Sequence, residues 1–217
     1  MLKAAFHHLP AGLQNPLRRG RAAFRRWSGS RRLRQQLGQT QEWKIVVGTS
    51  GVFEPGWIPT DIEYLNLLQD ADWRKFFAEA SIAAILAEHV WEHLTPAQGL
   101  AAAQACHRYL QTGGRLRIAV PDGGHPDPAY LRQVMVNGTG AGADDHKVLY
   151  THETLRQLLE QAGFTVTLLE YFDAAGIFHY QDWKRTDGMV HRSSRYDERN
   201  AGGKLVYTSL IVDAFKP

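Results

Sequence analysis

Residues 82–122 read IAAILAEHVWEHLTPAQGLAAAQACHRYLQTGGRLRIAVPD, and this stretch sets the fold class. Ile82-Ala83-Ala84-Ile85-Leu86 is an apolar run of strand length. Thr95 followed by Pro96 is a helix start, because the hydroxyl can cap a free backbone N–H and proline loses nothing at the first helical position. The alanine-rich helix runs to about Leu110 and stops at Gly113-Gly114. Arg115–Val120 is a second apolar run and ends in Pro121-Asp122-Gly123. Strand, helix and strand in immediate succession form a βαβ unit with parallel strands.

The same alternation continues outward in both directions. Towards the N-terminus, WKIVVG over 43–48 predicts a buried strand. A loop of small residues follows from Gly48 to Gly56, then a short strand Trp57–Asp61 ending in a carboxylate, then a short helix over 71–78. Towards the C-terminus, a helix is expected at Ala129–Val134 inside a Pro/Gly-rich stretch. Thr151 caps another helix to about Gln161, Phe164–Tyr171 is a strand, and Lys204–Phe215 is a last apolar run. The expected fold is Rossmann-like α/β: a doubly wound, mostly parallel sheet with helices on both faces and a C-terminal insert or lid over 173–200. Ligands of such sheets bind beyond the carboxyl ends of the strands. That singles out Gly48–Gly51, Asp61, Glu88–His93 and Pro121–His125.

With 44% hydrophobic and 22% charged residues, the 217-residue chain has the composition of a globular protein. Its one cysteine, Cys106, excludes an intrachain disulfide and reads as a buried thiol in a helix, which fits a reducing compartment. No run is long and apolar enough to span a membrane, and the N-terminus lacks the pattern of a secretory signal; a cytoplasmic protein is expected. The net charge of +3 hides an asymmetry. Residues 1–37 carry nine Lys/Arg and no acidic side chain, leaving 16 of the 25 basic side chains against all 22 acidic ones. The chain therefore divides into a basic N-terminal arm, 1–37, and a domain, 38–217. Gly20 and Ser28-Gly29-Ser30 weaken any continuous helix in the arm. The arm reads either as a solvated extension or as an arm that binds an anionic membrane surface or nucleic acid. No stable nucleic-acid partner is expected.

Three features carry ligand chemistry. The small residues Gly48-Thr49-Ser50-Gly51 let backbone approach a ligand closely. Asp61, 13 positions after Gly48, can accept both ribose hydroxyls of an adenosine. The dinucleotide fingerprint places its acidic residue about 20 positions on, and G-x-G-x-x-G is absent, so NAD is not expected. Asp72, before Trp73, could accept from an adenine amino group or could cap a helix.

The order GTSG, WIPTDIE, DADW, SIAAILAEHVWEHLTPAQ and CHRYLQTGGRLRIAVPDG resembles the class I S-adenosylmethionine (SAM)-dependent methyltransferases, most closely a bacterial subgroup with an HVxEHL signature. GADDHKVLYTHETL, LLEYFDAAGIFHYQDW, HRSSRYDERN and YTSLIVDAFKP extend the resemblance over residues 43–217. It implies SAM as cofactor. Gly48, Ser50 and Gly51 would line its methionine part, Asp61 the ribose and Asp72 the adenine, with Glu88 and His89 over the sulfonium and methyl. Thr49-Ser50 interrupts the family's G-x-G loop, and Ala83 replaces an aspartate common in relatives.

His89-Val90-Trp91-Glu92-His93 also matches the inverted zinc-peptidase pattern H-x-x-E-H. That pattern needs a helix to bring its histidines together, whereas here a strand precedes it and Pro96 starts the next helix. His93 reads as packed between strand and helix, with Glu92 bonded to a nearby backbone N–H. His89 is the expected general base and Glu92 its orienting partner, since methyl transfer to a hydroxyl needs a nearby proton acceptor. Asp122, His125, Asp145, His146, His179 and Arg195 are candidates for the acceptor site. The charged loop around Asp145 with Asp122 and His125 could ligate a divalent cation, but no tight spacing marks one and no metal is expected. The expected activity is methylation of a small molecule or glycan, at oxygen. A non-catalytic methyltransferase-like subunit is the alternative, and a nucleic-acid methyltransferase a more distant one, because no Asn/Asp-Pro-Pro-Tyr motif is present.

Overall fold

The computed structural model describes residues 11–48 and 54–217. Its centre is one seven-stranded sheet in the order β2-β1-β3-β4-β7-β5-β6. The strands are β1 (Trp43–Val47), β2 (Ile58–Pro59), β3 (Ile82–Glu88), β4 (Leu110–Pro121), β5 (Thr165–Phe172), β6 (Phe178–Tyr180) and β7 (Ser209–Phe215). Pairs β1/β2, β1/β3 and β3/β4 are parallel, and β7 inserts antiparallel between β4 and β5. The Rossmann-like expectation is met. β2 and β3 lie on opposite sides of β1, so the winding reverses at β1/β3.

The helices are α1 (Ala11–Leu37), α2 (Asp70–Arg74), α3 (Pro96–Tyr109), α4 (Pro128–Val134) and α5 (His152–Gln161). Thr95 and Thr151 each accept from the backbone N–H three residues on and donate their own N–H to the side chain there, so both predicted starts are capping boxes. One sheet face presents Ile45, Val47, Ile85, Leu116, Ile118 and Val212 to a core completed by Leu33, Trp73, Cys106, Leu155 and Leu159 from the helices. Burial holds the Cys106 thiol well above its ordinary pKa, so it is inert. The other face, with Val46, Ala84, Leu86, Ala119 and Ile211, packs against Trp57 and against Trp183, Met189 and Val190 of the insert. The insert is thus a layer of the domain on this face, where helices were expected.

The arm also differs from expectation. α1 is continuous through Gly20 and Ser28-Gly29-Ser30, and its last turns belong to the domain: Leu33 and Leu37 enter the core. Gly29 is what lets it approach, because a Cβ there would stand 2.4 Å from the Tyr64 ring. Tertiary packing outweighs the helix-breaking cost of glycine, about 1 kcal/mol.

Candidate functional site

A cleft of about 250 Å³ opens at the switch point, beyond the carboxyl ends of β1 and β3. Val47 and Gly48, the turn residues Ile62 and Leu65–Leu68, and Val90, His93, Leu94 and Gln98 form its walls. Gly48 has φ +67°, and a Cβ there would meet Val90 Cγ2 at 2.8 Å, so glycine lets the end of β1 touch the loop after β3. Ser50 and Gly51 lie outside the described residues. Asp61 follows β2; its Oδ1 accepts the Glu63 N–H at 2.9 Å and its carbonyl accepts from Leu65. These bonds close the turn that leaves Ile62 68% exposed.

Asp72 does not open onto this cleft. It is buried, and its Oδ1 accepts from Arg26 of α1 at 2.5 Å while Oδ2 accepts the Asn66 N–H at 3.2 Å. Trp73 stacks on Tyr109 inside the core rather than on a ligand. Neither does Asp72 cap α2, whose N-cap is Gln69. The carboxylate pins the arm helix and, through Asn66, one wall of the cleft.

Glu88 is also engaged internally: its carboxylate accepts the backbone N–H groups of His191 and Arg192, at 3.2 and 2.7 Å, fastening the insert to the end of β3. His89 sits in the left-handed region, φ +53°, with its N–H on Ala119 O. Its Nε2 is 3.1 Å from Ser209 Oγ, and that hydroxyl donates to Arg192 O. The ring therefore bridges Ser209 and Glu92, its Nδ1 lying 2.7 Å from Glu92 Oε1. With both ring nitrogens facing protein groups, His89 has none free to take a proton from an acceptor. The general-base assignment is corrected on that ground.

Glu92 is 1% exposed, and among the described residues neither carboxylate oxygen accepts a hydrogen bond, the 2.7 Å approach of His89 being out of line for one. The expected backbone partner is missing. Its carbonyl instead accepts from Lys147 and Val148, drawing the 143–148 loop against the Trp91–His93 turn. That turn is a single 3-10 turn, and Glu92 and His93 converge on His146. The His93 and His146 rings meet edge to face at 5.1 Å, and His146 Nδ1 lies 2.7 Å from Val134 O. Asp145 lies 3.5 Å from His93 Nδ1, and Lys147 holds its carboxyl below the usual range. The Tyr150 hydroxyl is pushed up to about 12 by burial and by the Glu92 carboxylate.

The remaining candidates do not line the cleft. Asp122 is buried, accepting the Phe172 and Gly124 N–H groups at 2.7 and 2.8 Å, and burial raises its pKa. It ties the end of β4 to β5. His125 stacks on Tyr130 at 4.1 Å and against Phe172, and burial lowers its pKa. His179 pairs with Asp173 at 2.7 Å and stacks on Tyr171. The Arg195 guanidinium bonds Tyr180 and Asp182 between the Tyr180 and Tyr196 rings. Sequence reasoning missed Ile62, Asn66, Leu68, Val90 and Gln98. Only Ile62 had a signal, an apolar residue directly after a strand-end carboxylate.

No protein-family model and no curated protein matches the chain. Among solved structures, it is similar to a SAM-dependent methyltransferase from Archaeoglobus fulgidus, at 14% identity and TM-score 0.43, over 88% of this chain and 94% of that one. It is similar to the SAM-dependent methyltransferase SibL in its apo form, at 15% identity and TM-score 0.45, over 96% of this chain and 60% of that one. A third similarity is to Haemonchus contortus phosphoethanolamine N-methyltransferase 2 in complex with S-adenosyl-L-methionine, at 12% identity and TM-score 0.42. This chain spans 53% of that structure, and the alignment covers 88% of this chain. The Rossmann-like assignment rests on the chain's own strand order.

Proposed function

We propose that the protein binds SAM in the β1/β3 cleft and transfers its methyl group to an oxygen of a small molecule or glycan. The observation that carries this is a switch-point cleft lined by left-handed Gly48 and exposed Ile62, the residue that follows Asp61 in the chain. The residues fit an adenosine. Ile62, Leu68, Val90 and Leu94 give apolar faces for a flat ring. Asp61 keeps Oδ2 without an internal partner among the described residues, which suits a pair of ribose hydroxyls. The described walls enclose less than the about 300–1,000 Å³ of sites that hold whole drug-sized ligands, so this cleft would take the nucleoside end. When bound, SAM supplies a methyl group already activated by its positive sulfur. The chain's part is to place the acceptor and exclude water.

His93 gives the cleft a polar end, backed by Glu92 and His146. We assign the acceptor side there. The test is incubation of the intact protein with methyl-labelled SAM and fractionated cell extract, followed by identification of the labelled product. Label in an O-methylated small molecule or saccharide supports the reading, and label only on nitrogen overturns the oxygen assignment. Binding without any transfer would favour the non-catalytic alternative, which the engaged ring of His89 makes a real competitor.

The arm carries a second proposal, contact with an anionic membrane surface. Phe24 and Trp27 are 65% and 59% exposed beside a groove lined by Arg26, Arg31, Arg34 and Lys75. Aromatic side chains set among cations match the composition of interfacial helices. No described helix is long and apolar enough to cross a membrane.

A further inference from the structure

We infer that Glu92, His93 and His146 form a binding site for one divalent transition-metal ion, zinc in the first instance, at the polar end of the cleft. One carboxylate oxygen and one nitrogen from each ring lie within 4.8 Å of one another. Tetrahedral zinc with bonds of about 2.0–2.1 Å sets its ligands about 3.4 Å apart, so small side-chain rotations close the triad.

Three observations point to a cation rather than a chance cluster. Glu92 is 1% exposed and, among the described residues, neither of its carboxylate oxygens accepts a hydrogen bond. A buried carboxylate without donors is costly unless a cation compensates it. His93 Nδ1 is likewise buried and makes no hydrogen bond among the described residues, with Asp145 Oδ2 approaching it at 3.5 Å. His146 already has the arrangement of a ligand, because Nδ1 is 2.7 Å from Val134 O and so must donate to it. Its Nε2 lone pair is thereby left free, and metal-bound histidines characteristically fix their second nitrogen on a carbonyl in this way. Nearby His89 brings Nδ1 to 2.7 Å from Glu92 Oε1 without a hydrogen bond between them.

Two imidazoles and a carboxylate suit zinc or its first-row neighbours and disfavour magnesium and calcium, which take oxygen ligands. Three protein ligands leave a fourth position open, as in catalytic rather than structural zinc sites. His93 also lines the cleft, so that position would face an acceptor. Only this last step, orientation of an acceptor oxygen by the metal, rests on the methyl-transfer reading; the site itself does not. It also differs from the H-x-x-E-H pattern, since His146 replaces His89 as the second imidazole.

The experiment is metal titration of the intact protein after chelation and dialysis, with Zn²⁺ followed by elemental analysis and Co²⁺ by its visible absorption. The expected result is one ion per chain, with tetrahedral or five-coordinate Co²⁺ bands. Glu92→Gln and His146→Ala should each weaken binding by about 100-fold or more, beyond the 10- to 100-fold typical of losing a supporting residue. His125→Ala, outside the cluster, should leave metal affinity unchanged. Thermal melting confirms that each variant is folded. No stoichiometric binding by the folded parent protein overturns the proposal and leaves His89 as the neighbour of Glu92. Binding that survives both ligand substitutions places the ion elsewhere and overturns it too. Metal binding without methyl transfer would sustain this site and count only against the activity.

Discussion

Arg117 of β4 and Asp213 of β7 stand opposite one another in the sheet, joined by two parallel hydrogen bonds: Nε to Oδ1 at 2.7 Å and Nη2 to Oδ2 at 2.8 Å. The pair is buried beneath Trp183, whose ring lies 4.8 Å from the guanidinium, and Nη1 donates to Gly188 O. Arginine is thus the post that holds the insert against the second sheet face. Asp213→Asn, which leaves that cation without its counter-charge, should cost about 3–5 kcal/mol in urea unfolding. Arg117→Met with Asp213→Leu should recover much of the loss. A loss below 1 kcal/mol for the single variant would show that the pair is not the anchor.

Two glycines of α1 should respond to alanine in opposite directions. Around Gly20 nothing lies within 4 Å of an added Cβ, so Gly20→Ala should stabilise by up to about 1 kcal/mol from helix propensity. At Gly29 the same methyl collides with the Tyr64 ring. Overpacking of about 1–3 kcal/mol exceeds the propensity gain, so Gly29→Ala should lower the melting temperature. Equal shifts in the two variants would mean that α1 is not seated on the domain.

These two sites show what the sequence could and could not reveal. Local signals were legible: the Thr95 and Thr151 caps and the apolar runs of β1, β3 and β4 each depend on neighbours within a few residues, whereas the expected stop at Gly113-Gly114 falls inside β4, since α3 already ends at Tyr109. Long-range pairings were not. The hydrogen bond from Arg26 to Asp72 turned a supposed adenine ligand into an anchor for the arm, and nothing local to DADW announces Arg26. Glu92 and His146 meet because the Glu92 carbonyl captures Lys147 and Val148, a contact without a spacing rule. The insert lacked periodicity because its Trp183, Met189 and Val190 reach the sheet from irregular backbone.

Stability should fall on mild acidification through His125. Its pKa is lowered by burial against Tyr130 and Phe172, so the folded state binds fewer protons than the unfolded one between the folded value and about 6.5. Unfolding free energy then rises with pH across that window, so the stability is lost as pH falls through it and levels off below the folded value. His125→Phe, which keeps a ring in the stack, should flatten the slope of melting temperature between pH 7.5 and 5.5. An unchanged slope would exclude His125 as its source.

Binding of the arm to vesicles should depend on charge and on its aromatic residues. Each engaged Lys or Arg contributes about 1 kcal/mol at an anionic surface. Vesicles containing phosphatidylserine should sediment the protein at low salt, release it as salt rises, and hold Phe24→Ala/Trp27→Ala less well. Equal retention on neutral phosphatidylcholine vesicles would contradict the proposed contact.

The central claim is that the β1/β3 cleft is a SAM site, and calorimetric titration of the intact protein with SAM and with S-adenosylhomocysteine tests it most directly. Saturable binding of one molecule per chain is expected. Asp61→Ala should weaken it by about 10- to 150-fold, the 1.5–3 kcal/mol of a hydrogen bond to a charged group. Asp61→Asn separates the two jobs of this side chain, because it can still accept the Glu63 N–H and keep the turn closed while losing the charge. Absence of binding of either ligand to the folded protein would contradict the account, as would undiminished affinity in the Asp61→Ala variant.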